Sequence, residues 1–101
     1  MLAHGTADTY GDELFRALRD RAPMPPLTER EPTISIDDAY HISRRILARR
    51  RAEGERLVGK KIGVTSPAVQ NMLGVHQPDF GYLTNAMQFA PGTPLPTSSL
   101  I

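Results

Sequence analysis

Cysteine and tryptophan are both absent from this 101-residue chain, and three tyrosines and three phenylalanines supply all its aromatic rings. Without cysteine there is no disulfide framework, no thiol nucleophile and no thiolate metal centre, a composition that suits a reducing compartment. No basic-then-apolar leader opens the chain, and no apolar run approaches the ~20 residues a membrane-spanning helix needs. A cytoplasmic protein with no membrane partner is expected. The scarcest feature is charge in the second half: from Ile62 to Ile101 the one formally charged side chain is Asp79. So few charges predict a buried half of a fold, and a lone carboxylate there needs a partner, because unpaired burial costs several kcal/mol.

What charge there is comes in blocks. Residues 1–43 carry net −4, residues 44–61 net +6 and residues 62–101 net −1, so the overall +1 is a cancellation. The basic block includes RRILARRR, whose arginines could meet nucleic-acid phosphates. The aromatics are not interleaved with it as a single-strand binder needs, so a solvated face or a subunit contact is the expected use, with no nucleic-acid partner.

Apolar residues at helical spacing (Tyr10, Leu14, Ala17, Leu18, Ala22) predict an amphipathic helix over 8–22, capped by Asp8 or Thr9 and ended by the prolines of 23–26. Residues 1–33 form this helix and a proline-rich linker, and 34–101 a second helix with the start of a β-rich body. Ser35 and Asp38 fit a capping box and Gly54 a C-terminal stop. On that helix Ile36, Ala39, Tyr40, Ile42, Ile46 and Leu47 share the arc expected to be buried. Arg44, Arg45, Arg49, Arg51 and His41 lie on the arc expected to face solvent. Leu57 to Val64 reads as a strand punctuated by Gly59 and Gly63. Ser66-Pro67 opens a short helix closed by Gly74. HQPDFG reads as a turn, Tyr82 to Phe89 as a second strand, and Ser98 to Ile101 as the start of another. The fold class is α+β. Two or three short strands with two helices are marginal alone, so the chain reads as part of something larger.

Lys61 and Asp79 are the candidate chemical residues. A lysine between glycines can hold a substrate carboxylate or oxo group, and an aspartate can move a proton. Spacing alone favours the plainer readings, a solvent-facing strand lysine and a turn aspartate bonded to local backbone. The three histidines show no ligand spacing, and a hard cation wants several carboxylate oxygens where the second half has one, so no metal ligand is assigned. GKKIGVT lacks the spacing of a phosphate loop.

The blocks DDAYHISRRILARRRAEGERLVGKKIGVTS and QPDFGYLTNAM, in this order and spacing, resemble the hydratase/decarboxylase branch of the fumarylacetoacetate hydrolase superfamily. The resemblance covers nearly the whole chain and implies the N-terminal portion of a larger β-rich fold, since members are two to three times longer. It also implies a lyase of aromatic catabolism, adding water to a 2-hydroxy-2,4-dienoate to give a 4-hydroxy-2-oxo acid. Lys61 and Asp79 become catalytic residues, with Gly63, Thr65 and Phe80 against the small-molecule substrate. Related decarboxylases share the K-x-G-x-T-S block but usually lack the aspartate of QPDFG, so Asp79 favours hydration. The resemblance further implies a divalent cation, Mg²⁺ or Mn²⁺, held by carboxylates of an E-x-E element expected beyond residue 101, and a homo-oligomer. By that reading the 101 residues alone lack activity. The alternatives are decarboxylation of a 2-oxo acid, or a binding and assembly module acting through the arginine-rich helix.

Overall fold

Two amphipathic helices come first. They are α1 (His4–Asp20) and α2 (Ile36–Ala52), followed by β1 (Leu57–Gly63), α3 (Pro67–Leu73) and β2 (Asp79–Thr84). Single 3₁₀ turns lie at Leu27–Glu29, Asn85–Met87 and Thr97–Ser99. This computed structural model describes residues 1–100. The architecture is α+β, and contacts divide it into two compact units, Met1–Gly54 with the segment from Phe89 onward, and Glu55–Gln88. Among the described residues no helix is long and apolar enough to cross a membrane.

In the first unit α1 begins four residues earlier than the sequence suggests, at an Ala3 cap with no side-chain bond. Both expected caps are engaged elsewhere: Thr9 donates its hydroxyl to the Gly5 carbonyl at 2.9 Å, and Asp8 meets His41 at 3.2 Å. The chain is pinned upstream instead, where the Leu2 amide donates to Asp38 at 2.9 Å. Asp38 also completes the expected capping box with Ser35, each accepting the other's backbone N–H at 3.0 Å. Gly54 at φ +94° then stops α2, a conformation that costs glycine little.

The two helices meet along a polar seam, which reverses one expectation. Asp8 and Asp12 on α1 face His41, Arg45 and Arg49 on α2. Arg45 grips Asp12 through two bonds of 2.8 and 3.1 Å, with Arg49 at 3.8 Å. His41 is therefore not simply solvated, and Ile36, expected in the buried arc, is 54% exposed. The ion-pair partners stand one helical turn apart on each helix, so charge lines the contact, while Ile42 is the buried member of the expected apolar arc. Under the seam the buried residues are few: Ala7, Gly11, Phe15 and Ile42, with Phe15 between the guanidinium groups of Arg19 and Arg49 at 4.8 and 5.4 Å. Gly11 allows the close crossing, since a Cβ there would sit 2.5 Å from Arg45 Cβ.

In the second unit β1 and β2 form an antiparallel ladder from Leu57↔Thr84 to Gly63↔Asp79, with an irregularity between Leu57 and Gly59. One end is tied by Asn85, whose carboxamide oxygen accepts the Arg56 amide at 2.7 Å, and by buried Thr84, whose hydroxyl donates to Glu55. The sequence places β2 at 82–89, whereas it runs 79–84 and gives way to a 3₁₀ turn. Asp79 and Phe80 are thus strand residues, not turn residues, because Gly63 pairs with Asp79 directly. Of the strand expected from Ser98, residues Ser98 and Ser99 lie in a 3₁₀ turn and Ile101 falls outside the described residues. Nor is the charge-poor half buried: Ile62, Met72 and Leu73 are each more than half exposed, because a two-stranded ladder with one short helix has too few layers to cover them, and Phe89 of the first unit is more than half exposed as well.

Candidate active site

Side chains on paired antiparallel strands share a face when their residues stand opposite one another, and alternate along each strand. Lys61 is opposite Gly81, and Gly63 is opposite Asp79. These four residues therefore occupy one face of the ladder. The lysine stem crosses Gly81, its Cε and Cγ lying 3.5 and 3.7 Å from where a Cβ on that glycine would be. Its ammonium then reaches the Asp79 carboxylate diagonally, Nζ to Oδ1, at 3.2 Å.

Gly63 lies directly beneath that meeting point. A Cβ on it would fall 2.8 Å from Asp79 Oδ1 and 2.9 Å from Lys61 Nζ, inside van der Waals contact with both. The missing side chain makes the space that the charged groups fill. The pair is open to solvent, with the two side chains 52% and 56% exposed. An ion pair of this kind stabilises a fold by about 1 kcal/mol or less, and a glycine in a strand gives back roughly 0.5–1 kcal/mol relative to alanine. The two nearly cancel, so stability does not account for the arrangement. What it provides is an accessible acid–base pair with a donor and an acceptor side by side.

The other predicted residues stand differently. Phe80 is opposite Ile62 on the reverse face, edge-on to Tyr82 at 6.1 Å between ring centres. There it helps line a recess of about 370 Å³ with Lys60, Ile62 and Pro78, and Asp79 stands at the margin of both faces. Thr65 is exposed just past the end of β1. Two features lie outside what the sequence patterns suggest: Gly81, and the junction after β1, where Val64 takes a left-handed φ of +54° and its carbonyl accepts a hydrogen bond from the Gln70 side-chain amide at 3.0 Å. The run of glycines at 59, 63 and 81 flanking the lysine and aspartate was the available signal for the first of these.

The residues present do not make a divalent-cation site. Asp79 gives one oxygen to Lys61, Glu55 accepts the Thr84 hydroxyl, and among the described residues no three histidine or carboxylate side chains gather closely enough to hold a metal.

No family model matches the chain. Known proteins do. A 2-hydroxypent-2,4-dienoate hydratase of Pseudomonas putida is 64% identical over 88 residues, which are 87% of this chain and 40% of that enzyme. A 2-hydroxyhexa-2,4-dienoate hydratase of Comamonas testosteroni is 53% identical over 85 residues, covering 84% of this chain and 32% of its own length. Among solved structures, the 4-oxalocrotonate decarboxylase from Pseudomonas putida G7, complexed with magnesium and adipate, superposes with a TM-score of 0.81 at 27% identity. The match takes in 85% of this chain and 33% of that one. The same decarboxylase has been solved with calcium and acetate. The chain thus spans two fifths or less of the length of these relatives. By sequence and by backbone it belongs to the hydratase/decarboxylase branch of the fumarylacetoacetate hydrolase superfamily.

Proposed function

We propose that Lys61 and Asp79 are the proton-handling pair of a hydratase acting on 2-hydroxypenta-2,4-dienoate. The observation that carries the reading is the glycine-floored ion pair, which gains the fold almost nothing yet keeps an ammonium and a carboxylate together and open to solvent. The 64% and 53% identities to dienoate hydratases support the same chemistry.

In this reading the dienol first ketonises to 2-oxopent-3-enoate, and water then adds at the distal alkene carbon to give 4-hydroxy-2-oxopentanoate. Lys61 donates hydrogen bonds to the carboxylate or 2-oxo oxygen and opposes negative charge as it develops there. Asp79 accepts a hydrogen bond from the incoming water and takes its proton as the C4–O bond forms, and a proton is then delivered to C3 of the resulting enolate, which leaves Asp79 ionised again; such a role is worth typically 10²–10⁴ in rate for a placed general base. Thr65 and the Gly63 backbone lie at the strand end where the substrate head would sit, and Phe80 walls the reverse side. The active enzyme is proposed to use a divalent cation, Mg²⁺ or Mn²⁺, as a Lewis acid on the oxo acid. In this reading the residues named above do not supply its ligands.

The test is a graft. The 88 matched residues of the Pseudomonas putida hydratase are replaced by their counterparts from this chain, and loss of dienol absorbance is followed with Mg²⁺ or Mn²⁺. A folded graft that forms 4-hydroxy-2-oxopentanoate supports the proposal. One that releases carbon dioxide from a 2-oxo diacid instead would place the chain with the decarboxylases, and a folded, inert graft would refute both.

A further inference from the structure

The exit from β1 is strained. Val64 holds φ at +54°, a left-handed conformation that is strained for a β-branched residue, so something must hold it there. The Gln70 side chain does so, its amide donating to the Val64 carbonyl at 3.0 Å. Gln70 is itself fixed on α3, whose first turn is closed by Ser66 Oγ accepting the Val69 amide at 3.2 Å and whose end is closed by Gly74 at φ +69°. The short helix is a splint, and Gln70 is the point at which it grips the strand exit.

That exit adjoins the last pair of the ladder, Gly63↔Asp79. There the clearance is smallest, since the space over Gly63 is filled by Lys61 Nζ and Asp79 Oδ1 within 2.9 Å of where a Cβ would be. A strand end that relaxed toward ordinary extended backbone would move Gly63 and part the two charges. We infer that Gln70 is a positioning residue, latching the strained Val64 peptide so that Gly63 stays seated beneath the Lys61–Asp79 pair.

This inference rests on Lys61 and Asp79 being the working pair, but its test does not pass through turnover and so fails separately from the hydratase reading. The chain has two lysines, Lys60 and Lys61, so ¹⁵N-lysine labelling gives two ammonium signals, assigned with Lys60→Arg. In the full chain, Asp79→Asn measures how far the pair displaces the Lys61 signal. Gln70→Leu is expected to remove more than half of that displacement while leaving Lys60 in place. Val64→Gly relieves the strain, because glycine takes the left-handed conformation freely. It is expected to keep the displacement and to make Gln70→Leu almost silent in the double variant, a non-additivity that marks coupled residues. A folded Gln70→Leu chain with an unmoved Lys61 signal overturns the inference, as does a double variant that loses as much as the single one. If Gln70→Leu alone does not fold, the double variant decides: recovery of both fold and Lys61 displacement supports the latch, and failure to recover overturns it.

Discussion

Gly63 is the residue on which the candidate site turns. The atoms that its Cβ would strike are the far ends of two flexible side chains, so the fold can absorb Gly63→Ala while the pair cannot. The variant is expected to keep its thermal midpoint, or gain about 0.5–1 kcal/mol from the lost glycine entropy, and to lose the Asp79-dependent displacement of the Lys61 ammonium signal. Gly81→Ala is the control, since its Cβ would meet the lysine stem at ordinary contact distance and leave the pair intact. Equal losses in both variants would show that Gly63 has no special part. Lys61 and Asp79 were legible as isolated residues, from the last cations and the solitary carboxylate of the sequence. That Asp79 needs a partner, with Lys61 the candidate, was legible too; the geometry of their meeting over Gly63 was not, because it depends on a register that begins β2 at Asp79, three residues ahead of the start expected at Tyr82.

At the scale of elements, the helix pair shows what periodicity can hide. The capping box, Gly54 and the short helix from Ser66 to Gly74 were readable because each rests on local bonds between near neighbours. The face that α2 turns to α1 was not readable from hydrophobicity. The signal was present as charge: acids at 8 and 12 on one helix, bases at 41, 45 and 49 on the other, each set at spacing four. Two consequences follow from this seam. Gly11→Ala should destabilise the helix pair by about 1–3 kcal/mol through overpacking against Arg45. Gly5→Ala, with open space around it, should stabilise α1 by about 0.5–1 kcal/mol. Thermal melts of the two variants should therefore move in opposite directions, and a common direction would refute the close crossing.

The ion pairs and the capping box of the first unit also set a pH dependence. Hydrogen bonding from Arg45 holds the Asp12 carboxyl below its ordinary range, Arg30 does the same for Glu13, and the Ser35 amide does so for Asp38. Folded-state values below the unfolded ones mean stability that is present above the unfolded pKa and lost as pH falls through the folded values. The thermal midpoint is expected to hold from neutrality down to about pH 5 and to fall below about pH 4, where free carboxylates titrate. Asp38→Asn should lower the midpoint at neutrality and flatten that fall. A midpoint indifferent to acid would contradict the assignment.

For the whole molecule, the charge-poor second half is where sequence and structure diverge most. Its composition reads as interior, yet Ile62, Met72, Leu73 and Phe80 stand exposed on a two-stranded ladder and one short helix. Composition reports what a segment is suited to contact, and the matched residues of this chain cover two fifths or less of the length of these relatives. The fold class was readable because helix and strand signals are local. The lack of cover was not, because burial depends on every layer that packs against a sheet. The proposed role of Asp79, seated with Lys61 over Gly63, is to handle the proton of hydration. It is tested most directly by kcat for dienol consumption in the hydratase graft with and without Asp79→Asn. A general base in this place predicts a loss of about 10²–10⁴ in kcat with little change in KM, whereas a variant within about threefold of its parent would contradict it.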